Sequence, residues 1–333
     1  MTGKPATSIA ILGAGSWGTA VAIHLARQGH HVILWSHNPA KAKKINQDRI
    51  NEQYLPGFQL AKSIEVSSNL EDTINQSDEV IIAIPSHGFN DLLRLLPRHL
   101  KRIAWLTKGI DPQTNRLLSQ CVTQQMGDHV AMAVISGPSF AREVANGLPT
   151  AITIAGNDTE HMKTLLNLLH HDMLRVYLSD DMIGVQLGGA MKNVLAIACG
   201  ISDGLHYGAN SQAALITRGL VEMRRLGRHL GARDNTFLGL AGMGDLVLTC
   251  TDNQSRNRRF GKLLGQGIDI KMAEQQIGQV VEGKYNASQI HQLGKQYQVE
   301  LPISEQIYAI LHQNIPAIDA VKYLLSRPAK FED

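Results

Sequence analysis

Residues 9–18 read Ile-Ala-Ile-Leu-Gly-Ala-Gly-Ser-Trp-Gly, an apolar run that leads directly into a glycine-rich turn. The stretch has the pattern G-x-G-x-x-G, which is typical of a turn that binds dinucleotides between a strand and a helix. Here Gly13 permits the tight bend, Gly15 lets the backbone approach a pyrophosphate, and Gly18 lets the helix pack on the strand. The amides at the helix start are free to bind the pyrophosphate. A tight turn with no ligand is the alternative interpretation.

The rest of the chain supports two domains of different character. Up to residue 180, apolar runs alternate with amphipathic stretches, which is the pattern of a parallel sheet covered by helices. The predicted strands are 9–12, 32–35, 80–84, 103–107, 131–135, 151–154 and 175–178, and the predicted helices between them are 17–27, 39–46, 87–96, 114–125 and 159–169. Later apolar residues recur at helical spacing, which predicts the helices 182–199, 212–230, 257–264, 271–277, 286–297, 302–313 and 317–324. The fold class is therefore α/β, with a doubly wound Rossmann-type domain over residues 1–180 and an all-helical domain over 181–333.

Composition excludes several classes of protein. The 333 residues are 44% hydrophobic and 18% charged, as expected of a globular chain rather than a disordered one. The formal charge of +3 is too small for a nucleic-acid-binding surface. No H-x-x-x-H or C-x-x-C pair predicts a metal site. The uncharged run 9–26 has the length of a signal peptide, but a strand, a glycine turn and a helix explain its glycines better.

Cysteine usage bears on the compartment. The chain has three cysteines, Cys121, Cys199 and Cys250, which lie far apart in the sequence. An odd, scattered set argues against a disulfide framework and for a reducing compartment. We therefore expect a cytoplasmic protein.

The residues after the second predicted strand bear on the choice of cofactor. Sites that prefer NAD usually carry a carboxylate there, which bonds to the ribose hydroxyls. Residues 35–38 are Trp-Ser-His-Asn, so no carboxylate would repel a 2′-phosphate. His37 with Lys41, Lys43 and Lys44 could attract one, although the lysines could equally form a solvated helix face. We expect NADP or NAD as the cofactor.

Two further strands end in polar residues. Lys108 follows the strand 103–107, and Gly137 and Ser139 follow the strand 131–135. In open α/β sheets ligands lie beyond the carboxyl ends of the strands, so Lys108 is placed to meet an anion. A loop lysine and an ordinary turn are the alternatives.

The helical half contains a lysine, Lys192, within an apolar segment rich in glycine and alanine. A buried lysine must be paired or must have a lowered pKa, which makes it a candidate base, whereas a lysine at a helix edge would reach solvent. Asp245 could bond to a substrate hydroxyl or hold Lys192. Arg256 can grip a phosphate, and Asn257 can add amides at a helix start. We expect Arg258 and Arg259 to form a solvated face.

Several strings, in this order and spacing, resemble the bacterial type of NAD(P)-dependent glycerol-3-phosphate dehydrogenases. They are GAGSWGTA at Gly13, LPG at Leu55, AIPS at Ala83, SGPSFA at Ser136, KNVLAI at Lys192, GMGDL at Gly242 and SRNR at Ser255. The resemblance runs from residue 9 to about residue 328 and includes a helical half like that of 6-phosphogluconate dehydrogenase, which implies that 181–333 is the substrate and catalytic domain. It implies reversible hydride transfer between dihydroxyacetone phosphate and sn-glycerol 3-phosphate, which feeds glycerophospholipid synthesis. It also implies a homodimer, with no membrane span and no nucleic-acid partner.

The resemblance also implies roles for individual residues. Lys192 would be the catalytic proton acceptor in the oxidative direction. The cofactor would contact Gly13, Gly15, Ser16, Trp17, Gly18, His37, Tyr54, Lys108, Ala141, Arg256, Val280 and Glu282. The substrate would contact Lys108, Gly137, Ser139, Lys192, Asp245, Ser255, Arg256 and Asn257. Two alternatives remain open: another dehydrogenase of this architecture, such as a hydroxyacid dehydrogenase or ketopantoate reductase, and a dinucleotide sensor without turnover.

Overall fold

A computed structural model of the chain describes residues 7–329 and residue 331. They divide into two compact units. The first comprises the residues up to Lys108 together with Leu118–Met182, and the second comprises Gly109–Leu117 and the residues from Ile183 onward. Nothing in the sequence pattern indicated that the segment Gly109–Leu117 would join the second unit.

The first unit alternates strands and helices. Its elements are β1 (Ser8–Leu12), α1 (Ser16–Arg27), β2 (His31–Trp35), α2 (Pro39–Asp48), β3 (Ile50–Asn51), β4 (Leu55–Gln59), β5 (Ile64–Ser67), α3 (Leu70–Asn75), β6 (Glu79–Ile82), α4 (Ser86–Leu95), β7 (Arg102–Trp105), α5 (Leu118–Met126), β8 (Ala131–Ser136), α6 (Ala141–Asn146), β9 (Thr150–Gly156), α7 (Thr159–Leu169) and β10 (Leu174–Ser179). The predicted strands and helices of this part are confirmed, except that α5 begins four residues late. The Asp111 carboxylate accepts hydrogen bonds from the amide and hydroxyl of Thr114 and so holds residues 111–114 in a turn.

Eight strands form one sheet in the order β10-β9-β8-β7-β6-β1-β2-β5. The strand order reverses between β1 and β6, which is where doubly wound sheets bind their ligands. Ile9, Ala10, Ile11 and Leu12 of β1 are fully buried, as expected of a strand with helices on both faces.

The predicted parallel sheet has one exception, because β8 and β9 run antiparallel. The apolar pattern of a buried strand does not encode its direction. The link between these strands holds only the six-residue helix α6, and antiparallel neighbours tolerate short links.

The second unit contains helices and no sheet strand in its described residues. They are α8 (Met182–Gly204), α9 (Ala209–Leu230), α10 (Asp234–Leu238), α11 (Asp245–Thr251), α12 (Arg256–Gly265), α13 (Ile270–Ile277), α14 (Glu282–Tyr297), α15 (Pro302–Gln313) and α16 (Ala317–Leu325), with a π-helical turn over Leu240–Gly244. The seven predicted helices are confirmed. The sequence analysis missed α10, the π-turn and α11.

Helix α8 is the core of the second unit. Among the described residues it is the one helix long and apolar enough to cross a membrane, judged by length and composition alone. However, 89% of its most apolar window is buried inside the protein. Its apolar character is therefore explained by the core that it occupies.

Glycines allow α8 and α12 to pack with their backbones in contact. A Cβ atom added at Gly261 of α12 would lie 2.1 Å from the carbonyl oxygen of Ile197, and one at Gly200 of α8 would lie 2.0 Å from that of Arg258. Neither carbonyl can move without breaking its helix. The crossing therefore depends on glycine at both positions.

We expect Gly261→Ala to lower the free energy of unfolding by about 1–3 kcal/mol, since overpacking outweighs the gain in helix propensity. Lys262→Ala in the same helix is the control, because its side chain is exposed. Urea unfolding measures both variants. A Gly261→Ala protein as stable as the control would show that the two helices can separate without loss.

Glu222 of α9 caps helix α15 from inside the second unit. Its carboxylate accepts hydrogen bonds from the amides of Ile303 (2.6 Å) and Ser304 (3.1 Å) and from the Ser304 hydroxyl (2.7 Å). Burial raises the pKa of Glu222 to about 7, while these hydrogen bonds oppose the rise. A folded-state pKa above the unfolded value means that the folded protein binds the proton more tightly.

Glu222 should therefore make the protein less stable as the pH rises from 4.5 to about 7. Over that pH window we expect the free energy of unfolding of the wild type to fall by about 3 kcal/mol relative to that of Glu222→Gln. Urea unfolding of both proteins at a series of pH values measures the difference. If the free energies of unfolding of the two proteins changed in parallel with pH, the raised pKa of Glu222 would be contradicted.

Candidate active site

The glycine turn of the first unit has the geometry that a dinucleotide requires. Gly13 has a φ of +132°, and a Cβ there would lie 2.5 Å from the carbonyl oxygen of Ala83. A Cβ at Gly18 would lie 2.1 Å from the Gly13 oxygen, whereas one at Gly15 would meet no atom within 4 Å. Gly13 and Gly18 thus hold the turn together, and Gly15 leaves its outer face open to a ligand.

The start of α1 offers donors to an anion. Gly15 occupies the N-cap position, so no side chain caps the first amides. The Ser16 hydroxyl donates to the carbonyl oxygen of Tyr54 at 2.7 Å, which brings two of the predicted cofactor residues together. The buried indole Nε1 of Trp17 has no hydrogen-bond partner among residues 7–329 and 331. These free donors and the open face of Gly15 fit a dinucleotide pyrophosphate.

The end of β2 carries His37 at an exposed position, with its ring centroid 6.4 Å from that of Trp35. The three nearby lysines do not share one environment. Lys43 and Lys44 are exposed, and Lys44 pairs with Asp48 at 2.7 Å. Lys41 is half-buried and turns back toward the glycine turn. The solvated-face interpretation therefore holds for Lys43 and Lys44 only.

Lys108, Gly137 and Ser139 lie together at the carboxyl ends of the neighbouring strands β7 and β8. The Lys108 ammonium donates to the carbonyl oxygen of Gly137 at 2.8 Å, and the Ser139 hydroxyl donates to the same oxygen at 2.9 Å. Ala141 follows as the first residue of α6. These contacts hold the Lys108 ammonium beside the Ser139 hydroxyl. A positive charge next to a hydroxyl suits the binding of an anionic ligand.

In the second unit, Lys192 is buried and paired. Its ammonium donates to the Asp245 carboxylate and, at 2.9 Å, to the Thr249 hydroxyl. That hydroxyl donates in turn to the main-chain oxygen of Asp245 at 2.6 Å. Lys192, Asp245 and Thr249 are 7%, 1% and 4% exposed. Lys192 therefore does not reach out to solvent, and Asp245 holds it.

The π-turn positions Asp245. A Cβ at Gly242 within the turn would lie 2.2 Å from the carbonyl oxygen of Phe237, and one at Gly188 of α8 would lie 2.5 Å from that of Ala241. Close contact between this turn and α8 places the first residue of α11 opposite Lys192. Short π-helical turns of this kind are frequent at functional sites.

Ser255, Arg256 and Asn257 begin α12. The Ser255 hydroxyl caps the helix by accepting from the Arg258 amide at 3.2 Å. Asn257 donates to the Asn193 side-chain oxygen and accepts from the Gly283 amide, both at 2.9 Å. These bonds connect the start of α12 to the residue that follows Lys192.

Arg256 and Arg258 differ in environment. The Arg256 guanidinium donates to the Gln279 side chain at 2.9 Å, next to Val280 and close in sequence to Glu282. Arg258 donates to Asp203, and its side chain is only 11% exposed. The prediction that Arg258 lies on a solvated face was therefore wrong, whereas Arg259 is exposed.

The sequence analysis missed Thr249, Asn193 and Gln279. Thr249 lies four residues after Asp245, a spacing that puts both on one helix face, but α11 itself was not predicted.

Cys250, next to Thr249, is buried beside Cys199, and burial raises the pKa of its thiol well above the usual range. The Cys250 thiol therefore stays neutral near the lysine.

The doubly wound sheet with its open glycine turn, and the helical unit with a buried lysine held by a carboxylate, define the class of nicotinamide-dependent dehydrogenases. Two family profiles match the chain: the NAD-dependent glycerol-3-phosphate dehydrogenase N-terminus over residues 8–162 and the C-terminus over residues 181–322. The chain belongs to this family. The prediction of an NAD(P)-dependent oxidoreductase that acts on a CH–OH group of glycerol 3-phosphate is confirmed.

Individual relatives agree with the family. Glycerol-3-phosphate dehydrogenase (NAD(P)+) of Legionella pneumophila is 59% identical over 325 residues, which cover 98% of this chain and 99% of that protein. A crystal structure of glycerol-3-phosphate dehydrogenase from Coxiella burnetii matches with a TM-score of 0.94 and 48% identity, over 97% of this chain and 99% of that one. A probable 2-dehydropantoate 2-reductase from Bacillus subtilis has a TM-score of 0.57 and 14% identity, over 92% of this chain and 99% of its own. That last likeness shows the fold alone.

Proposed function

We propose that Lys192 is the acid–base residue with which this chain interconverts dihydroxyacetone phosphate and sn-glycerol 3-phosphate. The observation that carries the proposal is the buried ammonium of Lys192, held by Asp245 and Thr249. Reduction of the ketone breaks the C2–oxygen π bond and leaves negative charge on that oxygen. The Lys192 ammonium stabilises this charge and transfers its proton to the oxygen. In the oxidative direction the neutral amine takes the proton back.

The first unit is proposed to bind the cofactor. Gly13, Gly15 and Gly18 shape the turn, Ser16 and Trp17 start the helix whose amides meet the pyrophosphate, and Tyr54 is held by Ser16. When bound, the reduced nicotinamide supplies a hydride to C2 of the ketone. The other proposed cofactor residues of this unit are His37, Lys108 and Ala141, and those of the second unit are Arg256, Val280 and Glu282.

The substrate's phosphate is assigned to the cations and amides at the start of α12. Arg256, held by Gln279, presents a guanidinium, and Ser255 and Asn257 flank it. Lys108, Gly137 and Ser139 are the proposed substrate contacts of the first unit. Binding energy from the phosphate, which does not react, would orient C2 for the transfer.

We further propose a cytoplasmic homodimer whose product supplies glycerophospholipid synthesis. Cys121, Cys199 and Cys250 are buried and form no disulfide, which suits a reducing compartment. Sedimentation velocity of the purified chain tests the dimer.

Replacing Lys192 by methionine should lower kcat with dihydroxyacetone phosphate by about 10²–10⁴-fold, since the proton donor is lost. Oxidation of NADPH or NADH, followed by absorbance, measures it. The control is Lys295→Met, an exposed lysine of the same unit. Full turnover in the Lys192 variant would remove this residue from acid–base catalysis and would leave the dinucleotide-sensor alternative to be reconsidered.

Thr249 is proposed as a positioning residue, because it bonds both to the Lys192 ammonium and to the main chain of Asp245. Thr249→Val should lower kcat about tenfold or more with little change in KM, as the lysine loses one hydrogen bond. Thr251→Val is the matched control, because the exposed Thr251 hydroxyl donates to the Val247 carbonyl within the same helix. Equal activity of the two variants would contradict the assignment.

A further inference from the structure

Lys41 lies in the first turn of α2, the helix that follows β2 along the chain. Its ammonium donates to the carbonyl oxygen of Ala14 at 3.2 Å, in the middle of the glycine turn. It also lies 3.6 Å from the centroid of the Tyr54 ring. Asn51 donates to the same Ala14 oxygen at 3.0 Å. The Lys41 ammonium is thus fixed between the glycine turn and Tyr54, which lies between β3 and β4.

The Lys41 ammonium contacts a neutral carbonyl and an aromatic ring. Among residues 7–329 and 331, no carboxylate lies within ion-pair distance of it. Burial lowers the pKa of Lys41 to about 8, and no opposing charge restores it. A half-buried cation held in this way favours an anion as its ligand.

The neighbouring lysines provide an internal comparison. Lys44, three residues further along α2, is exposed and pairs with Asp48. Lys43 is also exposed. Neither shares the surroundings of Lys41. Of the three lysines, Lys41 is therefore held in a fixed orientation, whereas Lys43 and Lys44 are surface charges.

We propose that Lys41 binds the 2′-phosphate of NADPH and thereby makes this chain prefer NADPH to NADH. The inference rests on the proposed cofactor site in the first unit. It follows from position, because the ribose that carries the 2′-phosphate binds at the end of the second strand, and Lys41 lies in the first turn of the helix that follows that strand. It also follows from charge, because residues 35–38 contain no carboxylate that would compete for the ammonium.

The experiment measures binding rather than turnover. NADPH and NADH are titrated separately into the full chain, and the fluorescence of the reduced nicotinamide reports Kd. Lys41→Met should raise the Kd for NADPH about tenfold or more, since a charge-assisted hydrogen bond is lost, and should leave the Kd for NADH within about twofold. Lys43→Met is the matched control and should change neither. Lys41→Arg keeps the charge and should retain most of the preference.

Two outcomes would overturn the proposal. Equal weakening of NADPH and NADH would assign Lys41 to the pyrophosphate, or to holding the glycine turn. No weakening of either would show that the ammonium faces no ligand. Because the titration needs no second substrate, the Kd of Lys192→Met for NADPH can be measured in the same way. If that variant binds NADPH normally, cofactor binding does not depend on the proposed acid–base residue. A failure of the Lys41 proposal can then be told from a failure of the proposed reaction.

A pH series adds a readout that a purely structural role would not give. Tyr54 is the titratable side chain that contacts the Lys41 ammonium. As the pH rises through about 8, the lysine loses its charge, so the affinity of the wild type for NADPH should fall relative to that for NADH. Lys41→Arg should show no such fall, because arginine stays charged. The same fall in the arginine variant would assign the pH dependence to another group.

Discussion

The second unit depends on how the protein keeps a positive charge inside an apolar helix. Taking the Lys192 ammonium out of water costs more than one ion pair usually returns, so a buried pair is a poor device for stability. The chain nevertheless surrounds it with the Asp245 carboxylate and the Thr249 hydroxyl. Those partners require α11 to start opposite α8, which the π-turn achieves. The local architecture is therefore explained by the need for a charged amine at that point.

In both units, glycines allow neighbouring segments to pack with their main chains in contact, and these contacts position the polar groups of the site. In the first unit, Gly13 and Gly18 bring the turn after β1 against the chain at Ala83. In the second, Gly188 lies against the π-turn, and Gly261 lies against α8. Main-chain atoms have fewer degrees of freedom than long side chains. A site anchored in this way is held to the small tolerances that hydride and proton transfer demand.

Much of this could be read from the sequence, and the remainder has physical causes. The predicted strands and long helices were found because burial imposes a clear period on their apolar residues. The direction of β9 was not predictable from that period. The hairpin β3–β4 was missed because β3 has only two residues and β4 contains Pro56 and Gly57, which are unusual inside a strand. Thr249 was missed because α11 follows a π-turn, whose extra residue breaks the helical period. Arg258 was misjudged because Asp203, which pairs with it, lies 55 residues away in sequence.

The two lysines that we propose to be functional, Lys192 and Lys41, show opposite solutions to the same electrostatic problem. Lys192 is nearly fully buried, and the protein supplies its counter-charge through Asp245. Lys41 is only half-buried, so its desolvation costs less, and the protein leaves it with a carbonyl and an aromatic ring. A carboxylate beside Lys41 would neutralise it and would also repel a phosphorylated ribose. The lack of a carboxylate in residues 35–38 therefore favours NADPH in two ways. It leaves the Lys41 ammonium available to a ligand, and it removes a charge that would repel the 2′-phosphate.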